Sequence, residues 1–193
     1  EALEPGLARS PTYFFSVPLV YARMRDAVEA KIAALSPLLR RAVRAAMAAA
    51  ARHRVEDSRS LGDLLGTRFA DLLVGRALRA RLGGRVRGLF AGGAPAPPAL
   101  FRFFESLGIP LVELYGMSET AGMISSNRLA GPRRESCAGW ITADHEVRFA
   151  ADGELQVRGP LLLTGFLEPE DGVEAWTADG YFRTGDLGRV DDQ

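Results

Sequence analysis

Eight consecutive residues, Glu113-Leu114-Tyr115-Gly116-Met117-Ser118-Glu119-Thr120, place three kinds of chemistry side by side. Tyr115 offers a flat ring, Ser118 and Thr120 offer hydroxyls, and Glu119 offers a hard carboxylate. A ring for a base, hydroxyls for phosphate oxygens and a carboxylate for Mg²⁺ together suit a nucleoside triphosphate. Stacking a base on such a ring contributes roughly 1–3 kcal/mol, by analogy with aromatic stacking in single-strand nucleic-acid complexes. Two shorter motifs add to this one. Gly92-Gly93-Ala94-Pro95 lets backbone approach a flat ligand, because glycine has no Cβ to hold it off. It is no Walker A loop, since no Lys-Ser/Thr pair follows. Thr184-Gly185-Asp186 sets a carboxylate after a glycine, and a carboxylate can accept hydrogen bonds from ribose hydroxyls. Taken alone, Asp186 reads as an ordinary turn aspartate.

The surrounding elements explain how these motifs could be positioned. Ile109–Leu114 reads as a short buried strand, with Gly116 turning the chain at its C-terminal end. Val86–Ala91 reads as an earlier strand, and residues 97–107 as a helix with Leu100, Phe101, Phe104 and Leu107 on one face. Strand, glycine turn, helix and strand predict a right-handed crossover with two parallel strands side by side, which would carry loops 92–96 and 115–120 to one edge. In open α/β sheets that edge is where ligands bind.

Upstream, residues 1–12 read as a lead-in and Tyr13–Val17 as a strand that Pro18 ends. Two amphipathic helices follow, the second running from Pro37 to about Val55 with Leu39, Val43, Ala46, Met47 and Ala50 as its stripe. Residues 56–66 read as a polar loop. Thr67 then caps a third helix, whose buried stripe is Phe69, Leu72, Leu73 and Ala77 and whose end is Gly83-Gly84. Downstream, Arg128–Arg134 is a basic loop. His145–Phe149 and Glu154–Arg158 read as strands joined at Asp152-Gly153, and Leu161–Phe166 as a third. Residues 168–179 are acidic and turn-rich, and short strands at 181–183 and 187–190 flank Thr184-Gly185-Asp186. The expected architecture is α/β. An α/β part over 1–127 contains the helical segment 18–82, and a small, mostly antiparallel β part covers 128–193.

Composition excludes several classes of function. Lys+Arg and Asp+Glu each number 24 in 193 residues, so the net charge is zero and nothing favours a nucleic-acid partner. Lys31 is the sole lysine. The single cysteine, Cys137, excludes an internal disulfide framework and fits a reducing compartment. No signal-peptide pattern and no apolar run long enough to span a bilayer is present. These features fit a cytoplasmic protein, with peripheral membrane contact left open. His53, on a polar helix face, reads as solvated, and neither His145 nor Cys137 has the neighbours of a catalytic group.

The motifs, in this order, resemble those of the adenylate-forming enzymes, and within them the long-chain fatty acid–CoA ligases. Tyr115-Gly116-Met117-Ser118-Glu119-Thr120 looks like the family signature, and Gly92-Gly93-Ala94-Pro95 like its adenine-side loop. Gly153–Pro160 continuing to Gly165-Phe166 looks like the motif that follows, and Asp179–Asp186 like the ribose-binding motif. Ser16-Val17-Pro18 and Leu82–Arg87 resemble the long-chain subgroup. The resemblance implies Mg²⁺-ATP as co-substrate, a fatty acid as the activated acid and CoA as acceptor. It implies that Gly92, Gly93, Ala94, Leu114, Tyr115, Gly116, Met117, Ser118 and Asp186 line the nucleotide, with Tyr115 on adenine and Asp186 on ribose. Ser118 and Glu119 would then be the catalytic pair, Glu119 holding Mg²⁺. Ser118 stands where the family usually has Thr.

The family's phosphate loop, hinge, second ribose contact and catalytic-lysine domain have no counterpart in these 193 residues. The expectation is therefore an internal fragment that does not adenylate alone and whose partner is the remainder of a parent enzyme. Two alternatives stand beside it: an adenylating relative that uses another acid or a carrier protein, and a non-catalytic module in which the glycine turns are only turns.

Overall fold

The computed structural model describes residues 10–130, 137–168, 172 and 174–190. Most of the expected lead-in, residues 131–134 of the basic loop, part of the acidic segment 168–179 and the last three residues lie outside these. The described residues fall into two compact units. One holds the chain up to Leu114 together with Asn127–Ala138, and the other holds Tyr115–Ser126 and the chain from Gly139 onward.

In the first unit, β1 (Tyr13–Ser16) runs parallel to β2 (Gly88–Ala91), and β2 parallel to β3 (Leu111–Met117). Leu89 lies opposite Leu111 and Ala91 opposite Glu113, so the expected strand–helix–strand crossover is present. Between β1 and β2 come α1 (Pro18–Ala33), α2 (Pro37–Val55), α3 (Leu61–Ala70), a π turn (Asp71–Gly75) and α4 (Arg76–Arg81). The crossover helix is α5 (Pro98–Ser106). Leu100, Phe101 and Phe104 are buried on it, as their spacing requires, and so is Leu107 at its end. Phe104 meets Phe103 and the α1 residue Tyr21 edge to face, with centroids 5.2 and 5.9 Å apart. The Tyr21 hydroxyl lies 2.8 Å from the carbonyls of both Phe14 and Phe90, and its one proton serves both. That phenol fastens α1 to the two strands beneath it.

The α2–α3 pair departs from expectation. The loop after α2 is short, and α3 begins at Leu61, so Thr67 lies inside the helix. Its hydroxyl donates to the Leu64 carbonyl at 2.6 Å and caps nothing. The expected stripe faces outward, with Phe69 55% and Leu72 58% exposed. Asp63, Gly66, Thr67, Ala70, Val74 and Leu78 are buried in its place. The cause is close helix packing. A Cβ on Gly66 would stand 2.3 Å from the Ala49 Cβ, so small residues, not large apolar ones, mark the contact face. Asp63 can be buried there because Arg52 (2.6 Å) and Ser58 (2.7 Å) satisfy its carboxylate. On α2 itself Leu39 is exposed, while Val43, Ala46, Ala49 and Ala50 are buried. His53 is half-buried, with its Nδ1 2.6 Å from the Ser58 carbonyl oxygen.

In the second unit, β3 finishes with Tyr115–Met117. A 3₁₀ turn (Ser118–Thr120) leads into β4 (Gly122–Ser126), which pairs antiparallel with β5 (Trp140–Ile141). Neither β4 nor β5 was expected from the sequence. Hydrogen-bonded neighbours follow the order β1-β2-β3-β4-β5. A separate antiparallel sheet holds β6 (Glu146–Phe149), β7 (Glu154–Arg158) and β8 (Phe182–Leu187), and β6 and β7 form the expected hairpin. The expected strand at 161–166 is absent. Its Leu163 N–H donates instead to the Glu119 carbonyl at 2.8 Å. The two short strands expected around Thr184–Asp186 are one strand, β8. Gln156 pairs with Arg183 and Glu154 with Leu187, so Thr184-Gly185-Asp186 bulge out opposite Leu155. The fold is α/β, as the sequence implied. Among the described residues no helix is long and apolar enough to cross a membrane.

A pair of glycine substitutions tests the α2–α3 contact. Gly66→Ala is expected to lower the unfolding free energy in urea by about 1–3 kcal/mol, the usual cost of overpacking. Gly62→Ala, where an added methyl comes no closer than 3.6 Å to a neighbour, is expected to leave stability unchanged or raise it slightly.

Candidate functional site

The Gly92–Ala94 loop leaves β2 in the first unit and is tied to the end of β3. The Ala96 N–H donates to the buried Glu113 carboxylate at 2.9 Å, and a Cβ on Gly92 would stand 2.7 Å from the Leu114 Cδ1. Glu113 is thereby spent on the loop. The glycine turn out of β2 is thus built by β3 as much as by its own residues, and its backbone lies against Leu114.

In the second unit, the signature residues sit around a reversal of the chain. Gly116 was expected to make the turn but lies within β3. What demands glycine there is a close approach: a Cβ would stand 1.7 Å from the Gly122 carbonyl oxygen, where β4 folds back. The turn itself is made by Ser118–Thr120, with Ala121 (φ 52°) and Gly122 (φ 117°) in left-handed backbone. Thr120 is fully buried. Its Oγ1 accepts from the Met117 N–H at 3.2 Å, and its proton is shared between the carbonyls of Met117 (3.0 Å) and Gly122 (2.9 Å). That hydroxyl, which the sequence offered as a ligand group, is spent on the turn. Ser118 is exposed and Glu119 half-buried, and neither side chain has a hydrogen-bond or ion-pair partner among the described residues.

The structure brings Tyr115 and Asp186 together although 71 residues separate them. The Tyr115 phenol donates to Asp186 Oδ2 at 2.6 Å. The ring is half-buried against a core of Ile124, Leu155 and Val157. Burial first, and the neighbouring Asp186 carboxylate second, push its pKa well above the ordinary 10.0. Asp186 itself is exposed on the β8 bulge. Its N–H donates to Thr184 Oγ1 at 3.1 Å, and the Thr184 hydroxyl donates to the Leu155 carbonyl at 2.7 Å. The Gly185 N–H reaches Glu154 Oε1 at 3.3 Å. Thr184 and Glu154 thus shape the bulge. Both stand in stretches that the sequence singled out, but their roles in shaping the bulge come from the pairing of β7 with β8.

Elsewhere in that stretch the charged side chains are paired within the fold. The Arg148 guanidinium is paired with Asp179 and lies 3.9 Å above the Tyr181 ring, while Arg158 pairs with Glu146 and lies 4.6 Å from that ring. Met117 contributes only backbone to the hydrogen bonds of the turn. Among the described residues no group of three His, Cys, Asp or Glu side chains could hold a metal. A lone, unpartnered carboxylate such as Glu119 fits Mg²⁺, which commonly takes one or two carboxylates and leaves its other positions to phosphates and water.

Residues 7–167 match the model of the AMP-binding enzyme family. The chain is 35% identical over 184 residues to the long-chain-fatty-acid–CoA ligase FadD15 of Mycobacterium bovis, covering 94% of this chain and 30% of that protein. It is 34% identical over 193 residues to the long-chain-fatty-acid–CoA ligase heimdall of Drosophila melanogaster, covering 94% and 28%. Among solved structures it is similar to a malonyl-CoA ligase in a ternary product complex with methylmalonyl-CoA and AMP, at 29% identity and TM-score 0.59, covering 95% of this chain and 33% of that one. The ATP-bound MatB of Rhodopseudomonas palustris shares the fold at 23% identity and TM-score 0.60, covering 97% and 30%. The chain spans about 30% of the length of the curated relatives it matches.

The raised Tyr115 pKa makes stability depend on alkaline pH. The fold favours the neutral phenol, so this contribution is complete below the ordinary pKa of 10.0 and is lost as pH rises from there toward the higher folded-state value. The unfolding free energy is expected to fall above about pH 10. Tyr115→Phe should flatten that fall without abolishing it, because buried Tyr21 is shifted the same way. Denaturant titrations at several alkaline pH values check this.

Proposed function

Because the chain belongs to the AMP-binding enzyme family, we propose that it is part of an ATP-dependent ligase that activates a long-chain fatty acid as its acyl-adenylate and passes the acyl group to CoA. The two long-chain relatives, similar over 94% of the chain, support the substrate class. The observation that carries the reading is the joined Tyr115–Asp186 pair on the unit that also bears the unpartnered Ser118 and Glu119.

In this reading the exposed part of the Tyr115 ring stacks on adenine and Asp186 accepts from a ribose hydroxyl. Ser118 donates to a phosphate oxygen, and Glu119 holds Mg²⁺. The fatty-acid carboxylate attacks the α-phosphorus and pyrophosphate leaves; the CoA thiol then displaces AMP from the acyl carbon. Mg²⁺, when bound, offsets charge on the phosphates as the carboxylate approaches. Ser118 adds a hydrogen-bond donor at the same place. Buried Thr120 and Glu113 touch no substrate and shape the turn and the loop.

Equilibrium titration with ATP, with and without Mg²⁺, tests the assignment. Tyr115→Ala is expected to weaken ATP binding by about ten-fold or more, the lower range of a lost stacking contact. Asp186→Ala should weaken it comparably, and Glu119→Ala should abolish only the gain from Mg²⁺. Mg²⁺-dependent ATP binding that none of the three substitutions alters would overturn the site.

A further inference from the structure

A second role for Tyr115 is visible in its hydroxyl, which stacking does not use. An aspartate on an exposed bulge is free to turn about its side-chain bonds, and each ordered rotor costs entropy when a ligand binds. Here the residue is held at both ends. Its N–H is fixed by Thr184 Oγ1 at 3.1 Å, and Thr184 is in turn fixed by the Leu155 carbonyl at 2.7 Å. Its Oδ2 is fixed by the Tyr115 phenol at 2.6 Å, a short bond of the charge-assisted kind. The phenol is a firm anchor because its ring packs on Ile124, Leu155 and Val157. Leu155 takes part in both holds, through its carbonyl under Thr184 and as a member of the core on which the ring packs. Asp186 Oδ1 keeps no protein partner among the described residues.

We propose that the Tyr115 hydroxyl is a positioning group for Asp186: it holds Oδ2 so that Oδ1 is left to accept from a ribose hydroxyl, and so makes the choice of ribonucleotide over deoxyribonucleotide depend on a phenol that need not touch the sugar. This rests on the reading of Asp186 as the ribose carboxylate. The same bond links the group that would bind the base to the group that would bind the sugar. It acts as a spacer between the two, and its loss frees the carboxylate without removing the ring.

Tyr115→Phe isolates the hydroxyl, and ATP against 2′,3′-dideoxyATP isolates the sugar contact. Wild type is expected to prefer ATP. Tyr115→Phe should reduce that preference about ten-fold, in keeping with loss of a hydrogen bond to a charged group. In an Asp186→Asn background, adding Tyr115→Phe should change the preference no further. An unchanged preference in Tyr115→Phe, with Asp186→Asn still losing it, overturns the positioning role and leaves the ribose reading standing. A raised preference shows that the phenol competes with the sugar, and overturns the role too. No preference in wild type, or one that Asp186→Asn leaves intact, removes the ribose reading and the inference with it. Absorbance titration of the phenols needs no nucleotide. The Tyr115 contribution, found by difference from Tyr115→Phe, should move to lower pH in Asp186→Asn, and an unmoved titration overturns the bond in solution.

Discussion

The second unit depends on how tightly the chain folds back after β3. With 1.7 Å between a hypothetical Cβ at Gly116 and the Gly122 carbonyl oxygen, the two strands can approach this closely only if residue 116 has no side chain. Thr120 is fully buried within the turn, and polar backbone enclosed beside it must be satisfied from within. The buried Thr120 hydroxyl does this for Met117 and Gly122. Once the turn is closed in this way, the residues on its outside have fixed places. Tyr115 leans on the core below, Ser118 stands in solvent and Glu119 stands half out of it. The Leu163 N–H on the Glu119 carbonyl then ties the irregular 161–166 segment to the same turn.

Chemically similar residues a few positions apart are treated in opposite ways. Glu113 and Glu119 are both carboxylates of one motif. Glu113 is buried and accepts the Ala96 N–H, which holds the Gly92–Ala94 loop against β3. Glu119 has no such partner among the described residues, so a cation or a hydrogen-bond donor brought by a ligand meets a carboxylate with nothing to give up. Ser118 and Thr120 divide in the same way, one exposed and one enclosed.

What could be read from the chain follows from the range of each interaction. The β2–α5–β3 crossover was legible because local signals agree: a stripe of Leu100, Phe101, Phe104 and Leu107, a glycine beyond it and a run of apolar residues after that. The buried face of α3 was not legible. Its contact is set by Gly66 against Ala49 and by an Asp63 neutralised from α2, and neither carries the apolar signal that periodicity detects. The large residues Phe69 and Leu72 carry that signal and point the other way. The β8 bulge was hidden for a different reason. Thr184-Gly185-Asp186 has turn composition, yet strand β7 decides its conformation through the Leu155 carbonyl and the Glu154 carboxylate. The resemblance named Asp186 within Asp179–Asp186, but what separates it physically from the residues that build the bulge is not visible in the sequence.

That separation is an electrostatic one. Asp179 and Asp186 lie seven residues apart in one motif. Arg148 grips both oxygens of Asp179, and the Thr177 hydroxyl adds a third bond at 2.7 Å, so its carboxyl is held well below the usual carboxylate range. A ligand hydroxyl could reach such a group only by displacing a guanidinium, which recovers less than the ion pair gives. Asp186 is bound by a neutral phenol, which orders the carboxylate without cancelling its charge, and one of its oxygens keeps its lone pairs. Cationic partners turn an aspartate into structure, whereas a neutral donor keeps it ordered and still available. On that criterion Asp186 is the aspartate of the stretch whose carboxylate stays available to a ligand, and Asp179 is a fastening for the start of β8.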